Sequence, residues 1–400
     1  MAGMSGYERT DRVYRGRPLD PKQFEDDPEK DYNRDMLRPL PLETSLPLIT
    51  EDVSTDNDIA IKKSIGAGCG LVSLITENLL IHPFIVLRRQ CQVNPRSSTY
   101  HLVPITLIPV IVRLHQTQGL STLWKGIGSV LLVRGLSAAV EDVISKLTPW
   151  PKEFNRESSM KAFGQHLLLK CVSIGIVAPF YSASLVETVQ SEIASEKPGV
   201  LDIFRDGAIR LLEVGSKGRL IPIYALLTPH VTYGVAKYLF ALIVRSVVSR
   251  VMWLRDRKLQ ERTGAYSRDI ISEGIMQDIE LHSTLISMCA ADVIFYPLET
   301  IVHRLHLQGT RTIIDNLDNG RSVMPLLTGY SGAIDCYRTI VSTEGALGLY
   351  KGFGALVLQF GINFLVLKAT KYILTEIGTM FKSKPKVVKT PQNIYYGEIY

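Results

Sequence analysis

Glu299, His303 and His306 carry the side chains best suited to chemistry in this sequence. Spaced four and three apart, they fall on one face of a helix, and a carboxylate with two imidazoles is a ligand set for a metal such as zinc. Gly66-x-Gly68-x-Gly70 invites a second reading, a backbone cradle for phosphate. That reading needs a preceding strand and the rest of a nucleotide-binding pattern. Neither surrounds the glycines, and small residues at this spacing let helix backbones approach closely in lipid. The five cysteines (69, 91, 171, 289, 336) form no Cys-x-x-Cys pair and read as small apolar fillers, not as a disulfide framework. There is no nucleophile elbow, P-loop or Ser/His/Asp order. The sequence points away from an enzyme, and neither a catalytic residue, a metal nor a cofactor is expected. Glu299 already belongs to a longer pattern, and His303 and His306 fall near a helix end where polar side chains are ordinary.

That pattern occurs twice. Pro297-Leu-Glu299-Thr-Ile-Val-His303-Arg304 is followed by Glu344-Gly345-Ala-Leu-Gly-Leu-Tyr350-Lys351-Gly352. Half a chain earlier, Pro83-Phe-Ile-Val-Leu-Arg88-Arg89 is followed by Gln118-Gly119-Leu-Ser-Thr-Leu-Trp124-Lys125-Gly126. Ordered parts that return together are an internal repeat. The elements that position them are apolar segments long enough to cross a bilayer, for which about 20 residues suffice. They are Ile65–Leu87, Ile127–Ile144, Leu167–Val189, Tyr224–Val248, Leu281–Leu305 and Phe353–Leu374, six segments in three pairs. Glu77, Lys237, Asp292, Glu299 and Lys368 interrupt them and should face a bundle interior or a wet cavity, because charge is costly against lipid. Pro83, Pro179 and Pro297 sit deep in the first helix of each pair and should kink it.

Composition agrees with a membrane protein: 46% of the 400 residues are apolar and the mean hydropathy is +0.12. Residues 1–60 differ, with 14 Asp/Glu against 8 Lys/Arg, six prolines and no sustained apolar period. They are expected to be a disordered acidic tail. Its acidity is unlike an Arg-rich mitochondrial presequence, so an uncleaved tail and internal targeting signals are expected. Removing the tail's −6 from the chain's +6 leaves +12 on the remaining 340 residues. Such a body suits anionic lipid at its surfaces, whereas no clustered basic-aromatic module suggests nucleic acid. Arg250–Arg262, with five basic residues, two acids and Trp253, reads either as an interfacial helix touching anionic headgroups or as a solvated helix end. The loop Gly309–Gly329 is longer than its counterpart and is a candidate docking surface: Pro83 to Trp124 spans 41 positions, Pro297 to Tyr350 spans 53.

Pro-x-acid-x-x-base-x-base followed by acid-Gly-x4-aromatic-base-Gly resembles the signature of the mitochondrial carrier family, over roughly residues 61–382. The resemblance implies an all-α membrane protein with six transmembrane helices in three tandem two-helix repeats, pseudo-threefold. The repeats are 61–150, 160–262 and 275–382, the second degenerate and carrying the basic segment, with a tail at 383–400. In that family the acids and bases of the Pro motifs form a gate of three interhelical ion pairs. Here repeat one has Ile85 and Arg88 at those positions, repeat two Tyr181 and Ser184, repeat three Glu299 and Val302. The resemblance leaves one pair, Arg88 with Glu299, as a residual helix lock. It makes Pro83, Gly119, Trp124, Lys125, Gly126, Pro179, Pro297, Arg304, Glu344, Gly345, Tyr350, Lys351 and Gly352 structural motif residues, with each Lys near lipid headgroups or backbone carbonyls. The second gate, an aromatic-acid-x-x-base pattern near the ends of the even helices, has no copy with both charges. A family member that lost its gates is similar to the branch that moved to the mitochondrial outer membrane and works as an adaptor. That likeness implies a cytosolic N-terminal tail and a role in fission–fusion balance, cristae organisation and lipid exchange with the endoplasmic reticulum. The partners it implies are the fusion GTPases and the cristae-organising complex. The alternative is an inner-membrane solute transporter with atypical gates, in which Arg134, Lys237 or Lys368 meets an anionic substrate in the cavity.

Overall fold

The computed structural model describes residues 78–153, 159–193, 202–212, 222–263, 273–318 and 322–381. The acidic segment 1–60, the Gly66–Gly70 stripe, the first part of the Ile65–Leu87 segment, the loose repeat-two motif at 213–219 and the segment 383–400 lie outside the described residues. The described residues are almost wholly helical. α1 is described from residue 78 to 93. A short 3-10 turn (Pro104–Leu107) leads into α2 (Ile108–Gln118), a second (Leu120–Trp124) into α3 (Ile127–Leu147), and α4 is Met160–Val189. Then come α5 (Asp202–Leu212), α6 (Ile223–Thr263), α7 (Glu273–Ile294) and α8 (Tyr296–Leu307). A hairpin of β1 (Ile313–Asp315) and β2 (Val323–Pro325) precedes α9 (Ala333–Glu344), a last 3-10 turn (Ala346–Tyr350) and α10 (Phe353–Phe381).

Among the described residues, three helices are long and apolar enough to cross a membrane: Met160–Val189, Tyr224–Leu259 within α6, and Ala346–Ala369. α7 and α8 make a fourth span if they are taken together, bent by 66° at Phe295. The break follows from Pro297 at the start of α8, whose ring and missing N–H oppose continuation of the preceding helix. The segment Leu281–Leu305 is therefore two helices, not one kinked helix. Pro179, by contrast, sits inside a continuous α4. α3 is one helix of 21 residues, but its Arg134, Glu141, Asp142 and Lys146 make it too charged to count among the spans by composition. Part of that charge is met inside the bundle, where Lys170 of α4 donates to Glu141 at 2.7 Å. The basic segment Arg250–Arg262 is not a separate interfacial helix: α6 runs on through it without a break for 41 residues.

Fully apolar packing is concentrated where α1, α4 and α8 end. Val93, Val189 and Leu307, at the C-terminal ends of these three helices, share one buried cluster with Leu185 and with Ile314 and Leu326 of the hairpin region. Two flanking clusters continue it, one around Leu87, Leu107, Leu114 and Leu123, the other around Ile301, Leu305, Ile340 and Leu349. Cys91 and Cys336 are buried in these clusters as small apolar residues. The hairpin corrects the all-α expectation and changes the reading of the Gly309–Gly329 loop. β1 pairs antiparallel with β2 (Ile313↔Pro325, Ile314↔Met324, Asp315↔Val323), and Ile314 also bridges to Gln190 at the end of α4. Ile314, Asp315 and Leu317 are buried, so this stretch of the loop is packed into the bundle end and is not a free docking surface.

Candidate functional site

Each aromatic-Lys-Gly triple is a junction where a short helix turns into a long one. Gly126 and Gly352 adopt positive φ (68° and 81°), the left-handed turn that side chains resist. Space forbids a side chain as well. A Cβ on Gly126 would lie 2.8 Å from Thr188 Cγ2, and one on Gly352 would lie 2.6 Å from Cys91 Cβ and 3.2 Å from the Arg88 carbonyl oxygen. In the first and third repeats the residue before the motif proline anchors its own junction. His82 bonds the Lys125 carbonyl at 2.9 Å, and the Tyr296 hydroxyl donates to the Lys351 carbonyl at 2.8 Å. Trp124 Nε1 donates back to the Leu79 carbonyl at 2.8 Å, while the Tyr350 ring stacks on Tyr296.

The two lysines reach across repeats. Lys125 Nζ donates to the Gln190 carbonyl at 2.7 Å, and Lys351 Nζ to the Asn94 carbonyl at 3.0 Å. Asn94 and Gln190 each lie eleven residues after the motif proline of their helix, so both lysines cap the open carbonyls at a helix C-terminus. Gln308, eleven after Pro297, exchanges hydrogen bonds between its side-chain amide and the Tyr330 backbone. In the third repeat the acid that completes the set is Glu344, which binds Lys351 at 2.6 Å and holds Arg304 by a two-pronged contact (Nη2–Oε2 2.9 Å). Arg304 also donates to the Gln92 carbonyl.

The first repeat has Gln118 where Glu344 stands, and Gln90 where Arg304 stands. Asp315 of the hairpin supplies the absent carboxylate. It accepts from Lys125 Nζ at 3.3 Å, Gln118 Nε2 at 2.8 Å and Gln90 Nε2 at 3.4 Å. Burial pushes the Lys125 ammonium below the usual lysine range, and Asp315 opposes that shift. The same loop is tied down again at Asp318, which accepts from the Ser97 hydroxyl (3.1 Å) and the Ser98 N–H (2.8 Å), while Arg113 donates to its carbonyl at 2.5 Å. Asp315 escaped the sequence reading because it lies in an insertion outside both copies of the pattern.

The Pro-motif positions meet one layer further in. Arg88 Nη2 lies 3.2 Å from Glu299 Oε1, both side chains buried, so α1 and α8 are joined there by an ion pair. Asp292 of α7 approaches Arg88 at 3.9 Å and is itself bound by Lys237 of α6. This second pair is invisible to the motif. At the repeat-two positions Tyr181 bonds His303 Nε2 at 2.7 Å and Ser184 meets Ser129 at 3.0 Å. His303 Nδ1 continues to Gln92 Oε1 (2.8 Å), whose Nε2 donates to Glu299 (3.3 Å). One chain of hydrogen bonds, Tyr181–His303–Gln92–Glu299, closed by the Glu299–Arg88 ion pair, thus links α4, α8 and α1. Val302 and Ile85 fill their positions with buried apolar side chains.

Glu299, His303 and His306 do not turn toward a common point. His306 bonds Ser182 and, at 3.0 Å, His230. The three candidate cavity cations are not brought together either. Lys237 is taken by Asp292 and the Tyr233 hydroxyl (3.1 Å), Arg134 is exposed and bonds Asn78, and Lys368 is exposed with its ammonium 4.8 Å over the Phe364 ring.

Comparison with known proteins matches this geometry to a family. A family model described as mitochondrial carrier protein matches residues 64–145 and 279–377, leaving the degenerate middle stretch unmatched. The chain is 44% identical to the mitochondrial outer membrane protein SLC25A46 of Gallus gallus over 314 residues, which are 78% of this chain and 76% of the relative. It is 44% identical to the protein of the same name in Homo sapiens over 317 residues, 78% of this chain and 75% of the relative. Solute carrier family 25 member 46-A of Xenopus laevis is 44% identical over 329 residues, 81% and 78% of the two chains. With relatives so designated and helices long enough to span a bilayer, this is an integral protein of the mitochondrial outer membrane. Its repeated junctions and the identity shared over most of its length establish that the chain belongs to the mitochondrial carrier family.

Proposed function

We propose that the chain is a non-transporting adaptor on a carrier fold, with six spans in three two-helix repeats. It acts by binding, without catalysis, in mitochondrial fission–fusion balance, cristae organisation and lipid exchange with the endoplasmic reticulum. Fusion GTPases and the cristae-organising complex are its proposed partners. The observation that carries this reading is Asp315. Alternating access requires the end where α1, α4 and α8 converge to open and close. Here a hairpin inserted in the third repeat supplies the carboxylate that the first repeat lacks, and its Ile313 carbonyl accepts from Ser191 N–H at the end of α4 (2.8 Å). Opening that end would break both ties and expose Ile314 and Leu326. The layer above it holds Arg88–Glu299, extended through Asp292 to Lys237, and the uncharged Tyr181–His303–Gln92 bonds in place of the family's ring of three motif ion pairs. We assign Arg88–Glu299 the role of a static helix lock.

The experiment is uptake by purified protein in liposomes, run against a panel of anionic metabolites. The adaptor reading expects no saturable uptake of any of them. Saturable uptake that is lost in Lys237→Ala would overturn it in favour of the transporter, since Lys237 would then have to leave Asp292 for a substrate.

A further inference from the structure

α6 is longer than a bilayer is thick. At about 1.5 Å per residue its 41 residues rise roughly 62 Å, whereas a hydrocarbon core is about 30 Å and a whole bilayer with headgroups about 40–45 Å. Tyr224 and Trp253 are separated by 29 residues, a rise of roughly 44 Å. Tyr and Trp favour the headgroup level at both faces of a membrane, and this separation matches the full thickness. Trp253 therefore marks the surface of one leaflet, and the helix continues beyond it for more than two turns.

At this level the helix carries a groove of about 420 Å³, lined by Val251, Leu254, Arg255, Lys258, Leu259 and Arg262. Steps of three and four put these residues on one face. Along the axis Val251 and Leu254, both exposed, lie nearest the bilayer, and Arg255, Lys258 and Arg262 follow outward, also exposed, with the exposed Leu259 among them. The two acids of the segment, Asp256 and Glu261, are not among the lining residues, and Glu261 is held by Arg257 at 3.2 Å. Among the described residues no carboxylate forms an ion pair with Arg255, Lys258 or Arg262. Aliphatic side chains at headgroup level with cations beside and beyond them complement a phospholipid, which presents apolar and phosphate groups close together.

We propose that this groove binds the headgroups of anionic phospholipids in the leaflet from which α6 emerges. Val251 and Leu254 lie at headgroup level beside Trp253. Arg255 and Lys258 meet phosphate oxygens, and Arg262, a turn further out, adds attraction within a Debye length of the surface. A projecting basic helix also suits an acidic protein segment. The lipid is favoured because two of the three apolar lining residues, Val251 and Leu254, sit at the membrane end of the stripe and because Trp253 places the first cation at headgroup depth.

The test uses full-length purified protein in neutral detergent, reading the unfolding midpoint as phosphatidylserine or phosphatidylcholine is added in mixed micelles. Phosphatidylserine is expected to raise the midpoint by on the order of 5 °C, and phosphatidylcholine to leave it unchanged. The Arg255→Gln/Lys258→Gln/Arg262→Gln variant should start from the same midpoint, because the three side chains are exposed. It should need roughly 100-fold more phosphatidylserine for the same shift, at about five-fold per charge. Arg257→Gln, off the groove, should respond as wild type. An undiminished response in the triple variant would place the lipid elsewhere and overturn the proposal. An equal shift with inorganic phosphate would assign the groove to a free anion. A shift with a poly-glutamate peptide and none with phosphatidylserine would assign it to an acidic protein.

Discussion

Asp315 holds Lys125, Gln118 and Gln90 at once, so replacing it with Asn strands a buried ammonium. Breaking one side of a buried pair costs about 3–5 kcal/mol. Asp315→Asn is expected to lower the unfolding midpoint by several degrees. Adding Gln118→Glu should recover much of that loss, since it rebuilds in the first repeat the acid that Glu344 provides in the third. A double variant no more stable than Asp315→Asn would show that the hairpin carboxylate does something other than replace the missing acid. Arg88 and Glu299 obey the same logic. Arg88→Ala or Glu299→Ala should each lower protein abundance in the membrane, and Arg88→Met/Glu299→Met should lose less than the sum of the two, because no lone charge is left behind. Wild-type abundance for both single variants would remove the lock from the account. That these two residues are partners was legible through the family pattern. Lys237 with Asp292 was not, because neither occupies a motif position.

At the scale of elements, the hairpin loop and the helix junctions make separate demands. Burial tends to raise the Asp318 carboxyl, but hydrogen bonds from the Ser98 N–H and from Ser97 and Ser98 outweigh it and hold the group below the usual carboxylate range. A lowered folded value means that its stabilising contribution is full above the ordinary value of 3.8 and fades as pH falls through the folded value. The stability gap between wild type and Asp318→Asn should therefore be largest near neutral pH and narrow below about pH 4. A gap that stays constant on acidification would assign the effect to shape and not to charge. At the junctions, Gly352→Ala should cost more than Gly126→Ala. The new methyl at 352 would sit 2.6 Å from Cys91 Cβ, an atom fixed to the backbone, whereas at 126 its nearest neighbour is a Thr188 side-chain methyl at 2.8 Å; a backbone atom lies 3.2 Å away at both. Costs of about 1–3 kcal/mol are expected, read as unfolding midpoints. The junction glycines were evident from the repeat alone. The 66° break between α7 and α8 was not, because Pro179 and Pro297 occupy the same motif position and only one of them ends a helix.

For the whole molecule, the convergence of α1, α4 and α8 on one hairpin-sealed end supports the proposed adaptor reading, and orientation is the next question. The reading proposed here places the N-terminus in the cytosol. Protease added to intact mitochondria should remove an N-terminal tag. A tag protected until the outer membrane is ruptured would put the N-terminus in the intermembrane space and count against a cytosol-facing adaptor. The same preparation shows whether the basic end of α6 faces the cytosolic leaflet. Chain direction alternates through successive spans of the proposed six, so the C-terminal end of the fourth shares a side with the N-terminus of the first.

The sequence by itself determined the repeated junctions, the apolar segments and the loss of most gate charges, because helical periodicity and glycine at left-handed turns are written within a few neighbouring residues. Partner choice is not local in that sense. Asp315 lies 190 positions from Lys125, and His303 lies 122 from Tyr181. Which carboxylate reaches a buried lysine depends on where three helix ends converge and on what an inserted loop places between them. Tertiary structure alone decided that the long loop became a buried hairpin, that Lys237 is held by Asp292, and that the basic segment is the outer end of one unbroken helix.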